Sequence, residues 1–164
     1  MTEQERKPLA WHETLELHEL VAFQSNGLIK LKKAVKKISD SELRDIYKKT
    51  IHEMELNVSE LIQFYSSAPI NQGREGLSGD LGFYSGDLLG LCKTLVRNYA
   101  IAITETATPM VRKTLTNHLL RSIKCHERIF NYMYKKGFYP AYDLVQLLNN
   151  DLKNAKKALS MDWY

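Results

Sequence analysis

Cysteine, long apolar runs and catalytic motifs are scarce in this chain, and each scarcity excludes a class of protein. The 164 residues include only two cysteines, Cys92 and Cys125, and these form no C-x-x-C motif. A zinc ribbon or a disulfide-rich scaffold is therefore excluded, and two buried thiols are expected. No stretch approaches the roughly 18 uninterrupted apolar residues of a membrane span, and residues 1–8 lack the apolar segment of a signal peptide. We expect synthesis in the cytoplasm and no membrane span.

The usual sequence signatures of catalysis are also missing. There is no G-x-S-x-G elbow and no cysteine–histidine nucleophile pattern, and no glycine-rich loop is followed by the lysine that holds a phosphate. We therefore predict that the protein is not an enzyme and carries no cofactor.

The charge balance gives little sign of nucleic-acid binding. The chain has 23 Lys and Arg against 19 Asp and Glu, and the basic residues are spread along its length, so no nucleic-acid partner is predicted. The densest basic cluster is predicted to be the solvated face of a helix. Its members are Lys30, Lys32, Lys33, Lys36 and Lys37.

Apolar residues recur at alternating steps of four and three residues over four long stretches, which predicts four helices of bundle type. The second stretch runs from Leu43 to Tyr65, the third from Leu88 to Thr106 and the fourth from Leu115 to Met133. The first stretch is predicted to bury Leu17, Val21, Gln24, Leu28, Leu31, Val35 and Ile38.

Capping residues predict where these helices begin and end. Residues 39–42, with Asp40 among them, can cap the second helix, and Pro109 suits the first position of the fourth. Gly137 follows two lysines and suits the end of the fourth helix. These signals predict short connections between the first two helices and between the third and the fourth.

A glycine-rich loop is predicted over residues 66–86, with the third helix capped by Ser85 or Asp87. A loop near 20 residues can extend roughly 60 Å at about 3.3 Å per residue, longer than either helix beside it. Such a crossover makes the second and third helices parallel, as in ferritin-like bundles. The prediction is an all-α, single domain over residues 1–164: a ferritin-like four-helix bundle with a long crossover between helices 2 and 3 and a shorter C-terminal fifth helix from Leu144 to Leu159.

Ferritin-like bundles raise the question of a metal site. Di-iron members use a Glu on two helices and Glu-x-x-His on the other two, whereas this chain has no Glu-x-x-His and only a reversed His52/Glu55 spacing. A buried hydrogen-bonded pair of Glu105 with His126 is the favoured interpretation, and no metal is predicted. The low-ranked candidate ligands for a metal are Glu13, Glu53, Glu105 and His126.

The third and fourth stretches resemble a known family. The segment NYAIAITETATP at 98–109, followed by Arg112, His126 and the YMYKKGFY segment at 132–139, resembles the central motif of the spore coat protein F family. Family members commonly have an aromatic such as Trp where this chain has Phe138. The resemblance covers about residues 85–142, and it implies a ferritin-like helical fold and a place in or near the coat of an endospore.

The resemblance implies a structural, non-catalytic component of the spore coat that acts through protein–protein packing. Other spore coat proteins are the expected partners, with a homo-oligomer as a further option. Aromatic residues favour interfaces, so the expected contact surface is Tyr139, Tyr142, Trp163 and Tyr164, although these side chains could equally pack on the bundle's own end. Two alternatives stay open: a ferritin-like metal-binding redox or storage protein that uses inward Glu and His residues, and a bundle that binds a small ligand.

Overall fold

Helices are the only regular secondary structure in the described part of the chain. A computed structural model describes residues 9–68 and 80–164, and no strand is found among them. This confirms the all-α class, and α5, with 17 residues, is shorter than the other four helices as predicted. None of the helices within 9–68 and 80–164 is long and apolar enough to cross a membrane. The helices are α1 Trp11–Val35, α2 Ser41–Gln63, α3 Asp80–Thr104, α4 Pro109–Lys135 and α5 Leu144–Ser160, with a 3-10 turn at Phe64–Ser67 after α2.

The third helix begins earlier than the sequence indicated. It starts at Asp80, so the predicted start at Ser85 or Asp87 is wrong. Glycines made this region look like a loop, but Phe83 and Ser85 are buried, and the Ser85 hydroxyl donates to the backbone of the preceding turn at 2.7 Å. Their burial offsets the low helix propensity of residues such as Gly82. The rest of the predicted crossover, residues 69–79, lies outside the described residues.

The chain divides into two compact units. The first unit contains α1, α2 and α5, and the second contains α3 and α4. The single-domain organisation over residues 1–164 stays a prediction.

The first unit has an apolar core to which all three of its helices contribute. Val21 of α1, Val58 of α2 and Leu148 of α5 are fully buried, with Ala155 of α5 beside them. Asp40 caps α2 as predicted, since its carboxylate accepts from the Leu43 N–H at 2.7 Å. The fifth helix is therefore an integral part of this core.

The buried face of α1 is not quite the predicted one. Val21, Leu28 and Val35 are buried as expected. At the intervening positions, however, the buried residues lie one place later than predicted, and all three of them are polar. The prediction that the whole lysine cluster faces solvent is wrong for Lys32, which is 0% exposed. The predicted intervening positions were Leu17, Gln24 and Leu31, and the buried ones are His18, Ser25 and Lys32.

The second unit is an antiparallel helical hairpin. Residues 105–108 join α3 to α4, and Pro109 is the first residue of α4 as predicted. Cys92 lies opposite Cys125, with their Sγ atoms 3.0 Å apart. Tyr99 lies opposite His118, with ring centroids 5.6 Å apart in an edge-to-face contact. These two contacts define the register of the hairpin.

The end of α4 has the hydrogen bonds of a Schellman motif. The Phe138 N–H donates to the Met133 carbonyl at 2.9 Å, and the Gly137 N–H donates to the Tyr134 carbonyl at 3.1 Å. Gly137 has a φ of 72°, a left-handed conformation that glycine adopts without steric cost. The predicted helix stop at Gly137 is confirmed.

Two glycine substitutions in this unit should have opposite effects. Gly137→Ala should destabilise the protein by about 1 kcal/mol, because an L residue is strained in the left-handed region. Gly82→Ala should be neutral or stabilising, since it lies in α3 and its added Cβ meets the Phe138 ring at an ordinary 3.8 Å. Chemical unfolding followed by circular dichroism measures both. Equal effects would contradict the assignment.

Candidate functional site

Three of the four candidate metal ligands are exposed to solvent. Glu13, Glu53 and Glu105 are exposed, and His126 is half-buried. The Glu13 carboxylate accepts from the Ala10 N–H at 2.8 Å and so caps the start of α1. No group of three or more metal-binding side chains is found within residues 9–68 and 80–164. The absence of a metal stays a prediction.

The expected pair of Glu105 with His126 is not formed. Glu105 follows the last residue of α3, at the turn of the hairpin. His126 is next to Cys125, which lies opposite Cys92. At about 1.5 Å of rise per residue, this register separates Glu105 from His126 by roughly 20 Å along the hairpin. His126 instead stacks on Phe130, with ring centroids 6.2 Å apart.

A buried hydrogen-bonded triad lies in the first unit. Asp151 of α5 is 5% exposed. Its Oδ2 atom accepts from His18 Nδ1 of α1 at 2.7 Å and from the Tyr65 hydroxyl of the 3-10 turn at 2.8 Å. Tyr65 is the last residue of the second apolar stretch of the sequence, and its side chain is buried with its hydroxyl bonded. One carboxylate thus joins three segments of the unit.

Burial shifts the pKa values of Asp151 and Tyr65. Desolvation raises the pKa of Asp151 above its ordinary value, and the hydrogen bonds from His18 and Tyr65 oppose that rise. Desolvation, followed by the charge and hydrogen bond of Asp151, raises the pKa of Tyr65. Tyr65 therefore stays protonated and acts as a hydrogen-bond donor, and the triad links helices in the core.

Removing the Tyr65 hydroxyl should weaken the fold. Tyr65→Phe keeps the ring but removes one of the two donors to Asp151 Oδ2, and we expect a loss of about 1.5–3 kcal/mol in the free energy of unfolding. Tyr142→Phe is the matched control, because Tyr142 is 91% exposed. Denaturant unfolding measures both variants. An equal stability of the two would refute a stabilising role for the triad.

A second buried polar cluster surrounds Lys32. Its ammonium donates to the carbonyls of Ala158 at 2.7 Å, Leu159 at 3.1 Å and Met161 at 3.0 Å. The same Nζ lies 2.7 Å from Glu55 Oε1 of α2. These carbonyls belong to the last turn and end of α5, where backbone acceptors lack partners and the helix dipole favours a cation. Lys32 therefore caps α5 and joins it to α1 and α2.

The reversed His-x-x-Glu spacing does bring its two residues together. His52 Nδ1 lies 3.4 Å from Glu55 Oε2, while the other oxygen of Glu55 faces Lys32. The His52 ring also makes an edge contact with Trp163 at 5.6 Å. Glu55 thus serves as the anionic partner of a buried cation.

Replacing Lys32 should strongly destabilise the protein. Lys32→Met keeps a similar volume but leaves three carbonyls and Glu55 without their cation, so we expect a loss of about 3 kcal/mol. Lys36→Met, at an exposed position one turn later, should have little effect. Thermal and urea unfolding compare the two. If Lys32→Met were as stable as Lys36→Met, the capping role would be wrong.

Comparison with known proteins identifies the family. The Coat F domain model matches residues 82–142. The spore coat protein F-like protein YraD of Bacillus subtilis (strain 168) is 39% identical over 75 residues, which cover 46% of this chain and 76% of that relative. This chain belongs to the spore coat protein F-like family. No solved structure matches it. Membership confirms the resemblance inferred from the sequence and supports a spore coat role and location.

The segment matched by the Coat F domain contains nearly all of the α3–α4 hairpin. Along α3, four apolar side chains at steps of three, four and three residues are exposed, and we call them the α3 apolar row. They are Leu81 at 63%, Tyr84 at 60%, Leu88 at 42% and Leu91 at 54% exposed. The prediction that Leu88 and Leu91 face inward is wrong, since the buried positions of this helix include Leu89 and Cys92.

Helix α4 of the coat F-like chain is strongly basic. It has one acidic residue, Glu127, against six basic residues, all of which are exposed. The positive end of the Lys135 side chain also lies favourably at the C-terminal end of the helix. The basic residues of α4 are Arg112, Lys113, Arg121, Lys124, Arg128 and Lys135.

The aromatic residues expected to form a contact surface differ in exposure. Tyr142 is 91% and Tyr164 88% exposed, whereas Trp163 is 7% exposed and stacks on Tyr164. Tyr139 is half-buried and makes an edge contact with Phe130 at 5.3 Å. Tyr142 and Tyr164 thus offer the larger accessible surfaces.

Sequence reasoning missed three of the residues in the polar clusters. His18 and Lys32 lie 14 residues apart, two heptads of the α1 pattern, and Asp151 lies four residues after Leu147 and four before Ala155. Each therefore occupies a core position by spacing alone. The signal was present, but it was outweighed by the preference for apolar residues inside.

Proposed function

We propose that this protein is a structural, non-catalytic component of the spore coat that acts by packing against other coat proteins. The observation that carries the proposal is the α3 apolar row, of which Tyr84, Leu88 and Leu91 lie inside the segment matched by the Coat F domain. Contiguous exposed apolar residues of this kind mark protein-interaction surfaces. The name of the relative YraD associates that protein with the spore coat.

The basic face of α4 indicates the chemistry of the partner. Six exposed cations on one helix favour a partner with an acidic surface, and complementary charge speeds association and selects among partners. An apolar row and a basic helix in one hairpin fit a coat protein whose contact surface combines apolar and acidic side chains. A second copy of this chain is a less complementary partner for α4, because its own α4 is basic as well.

Tyr142 and Tyr164 are further proposed contact residues, one before the start of α5 and one after its end. Both are almost fully exposed, and tyrosine contributes a large apolar area together with a hydrogen-bonding hydroxyl. Both residues lie outside the hairpin, so their contribution to packing can be tested separately.

The non-catalytic part of the proposal is supported by how the buried polar groups are used. His18, Tyr65 and Asp151 bind one another in the core. Lys32 binds backbone carbonyls and Glu55. These side chains, which in another setting could act as acids, bases or ligands, hold helices together here.

Recruitment to the spore should depend on the α3 apolar row. In a sporulating host, a fluorescent fusion of the wild-type chain should accumulate around the forespore. Leu88→Glu with Leu91→Glu should reduce that signal several-fold, because charge on the row opposes apolar packing. The matched control is Leu15→Glu with Leu20→Glu, which changes two apolar residues of α1 with similar exposure, 47% each.

Further variants test the other proposed surfaces, and metal analysis tests the alternative function. The double variant Arg121→Gln/Lys124→Gln tests the basic helix, and its control is the double variant Lys36→Gln/Lys37→Gln. The double variant Tyr142→Ser/Tyr164→Ser tests the tyrosines. Circular dichroism verifies that each variant folds. Coat signal that stays at the wild-type level in all the surface variants would contradict packing through these surfaces. Stoichiometric iron or manganese in the purified protein would favour the ferritin-like alternative.

A further inference from the structure

The two cysteines of the chain meet inside the hairpin. Cys92 of α3 and Cys125 of α4 are unbonded thiols, and their Sγ atoms lie 3.0 Å apart. A disulfide requires about 2.05 Å between sulfur atoms, so a small side-chain movement brings the pair to bonding distance. Both residues lie in the segment matched by the Coat F domain.

The two thiols differ in access and in reactivity. Cys92 is 1% exposed, whereas Cys125 is half-buried. Desolvation, with a smaller contribution from the hydrogen bond to Cys125, raises the pKa of Cys92 to about 11. Since the thiolate is the reactive form, a small oxidant meets Cys125 first, and Cys92 is held beside it as the second thiol.

We propose that Cys92 and Cys125 are a redox-active pair that a peroxide converts into an intramolecular disulfide linking α3 to α4. Thiols are kept reduced in the cytosol, so the link forms where the chain meets an oxidant such as hydrogen peroxide. The site is a covalent modification site, separate from the packing surfaces, and it does not depend on the proposed coat function.

The chemistry balances in two steps. The Cys125 thiolate attacks one oxygen of hydrogen peroxide, the O–O bond breaks, and Cys125 becomes a sulfenic acid while the released hydroxide takes up a proton to form water. Cys92 then loses its proton and attacks the Cys125 sulfur, the S–S bond forms, and the S–O bond breaks with loss of a second water. Two thiols lose two electrons in total, and the peroxide is reduced to two molecules of water.

The disulfide would join two helices that bury few apolar side chains. The buried apolar side chains among the described residues of the hairpin are few: Phe83, Leu89, Cys92 and Met133. A covalent bond between residues 33 apart in sequence removes much of the freedom of the unfolded hairpin. Oxidation should therefore stabilise this unit against unfolding.

The test is oxidation of the purified full chain with hydrogen peroxide, followed by removal of the excess with catalase. We expect loss of both titratable thiols and a decrease of about 2 Da in intact mass. Tryptic mapping without reductant should join the peptide that ends at Lys93 to peptide 125–128. The Tm should rise by at least about 5 °C and return on reduction.

Single-cysteine variants test the order of events. Cys92→Ser should accumulate a sulfenic acid on Cys125 that dimedone traps, whereas the wild type should trap several-fold less because Cys92 consumes it. Cys125→Ser should react with peroxide several-fold more slowly than Cys92→Ser. Dimers linked through Cys125, a sulfinic acid on Cys125 with Cys92 still reduced, or equal dimedone labelling of the wild type and Cys92→Ser would each overturn the proposal. If Cys92→Ser does not fold, peptide mapping of the oxidised wild type decides alone.

Discussion

The first unit depends on the requirement that buried polar groups find partners. Transfer of an unpaired charge from water into a protein core costs several kcal/mol, about as much as the net stability of many domains. α1 places His18 and Lys32 on its buried face, and α5 supplies Asp151 for one and its terminal carbonyls for the other. This reciprocity determines which helices must pack together. Ser25, between them on α1, is buried, and no hydrogen-bond partner for its hydroxyl is found within residues 9–68 and 80–164.

The same clusters give the unit specificity as well as stability. Apolar contacts tolerate sliding and rotation, whereas a carboxylate that accepts two hydrogen bonds tolerates little of either. Asp151 and Lys32 lie near opposite ends of the region where α1 contacts α5, so together they determine the register of the two helices. Polar core groups that select one arrangement are known from coiled coils, and this unit applies the same physics to three helices.

The hairpin of the second unit differs from the first unit in how its side chains are exposed. A hairpin of two helices has little interior, and α3 has a row of exposed apolar side chains while α4 exposes its cations. Its alignment rests on shallow contacts, the thiol pair and the edge contact of Tyr99 with His118. A unit of this kind has surface available for partners. This fits the proposal that the Coat F segment contributes to packing in the coat.

The sequence by itself determined the all-α class, the five helices and most of their caps, because periodicity, Asp40, Pro109 and Gly137 act locally. It also determined the family, since the motif at 98–109 is a linear pattern. Only the tertiary structure decided that Lys32 is buried, that Glu105 does not meet His126, and that Cys92 touches Cys125. The reason is that the burial of a polar side chain depends on which partner another helix presents, and that partner is more than 120 residues away in sequence for both His18 and Lys32. The register of the hairpin could have been predicted from its short turn, because counting residues outward from the turn gives the pairs that face each other. The Glu105 error arose because the prediction compared helix faces without comparing positions along the helix axes.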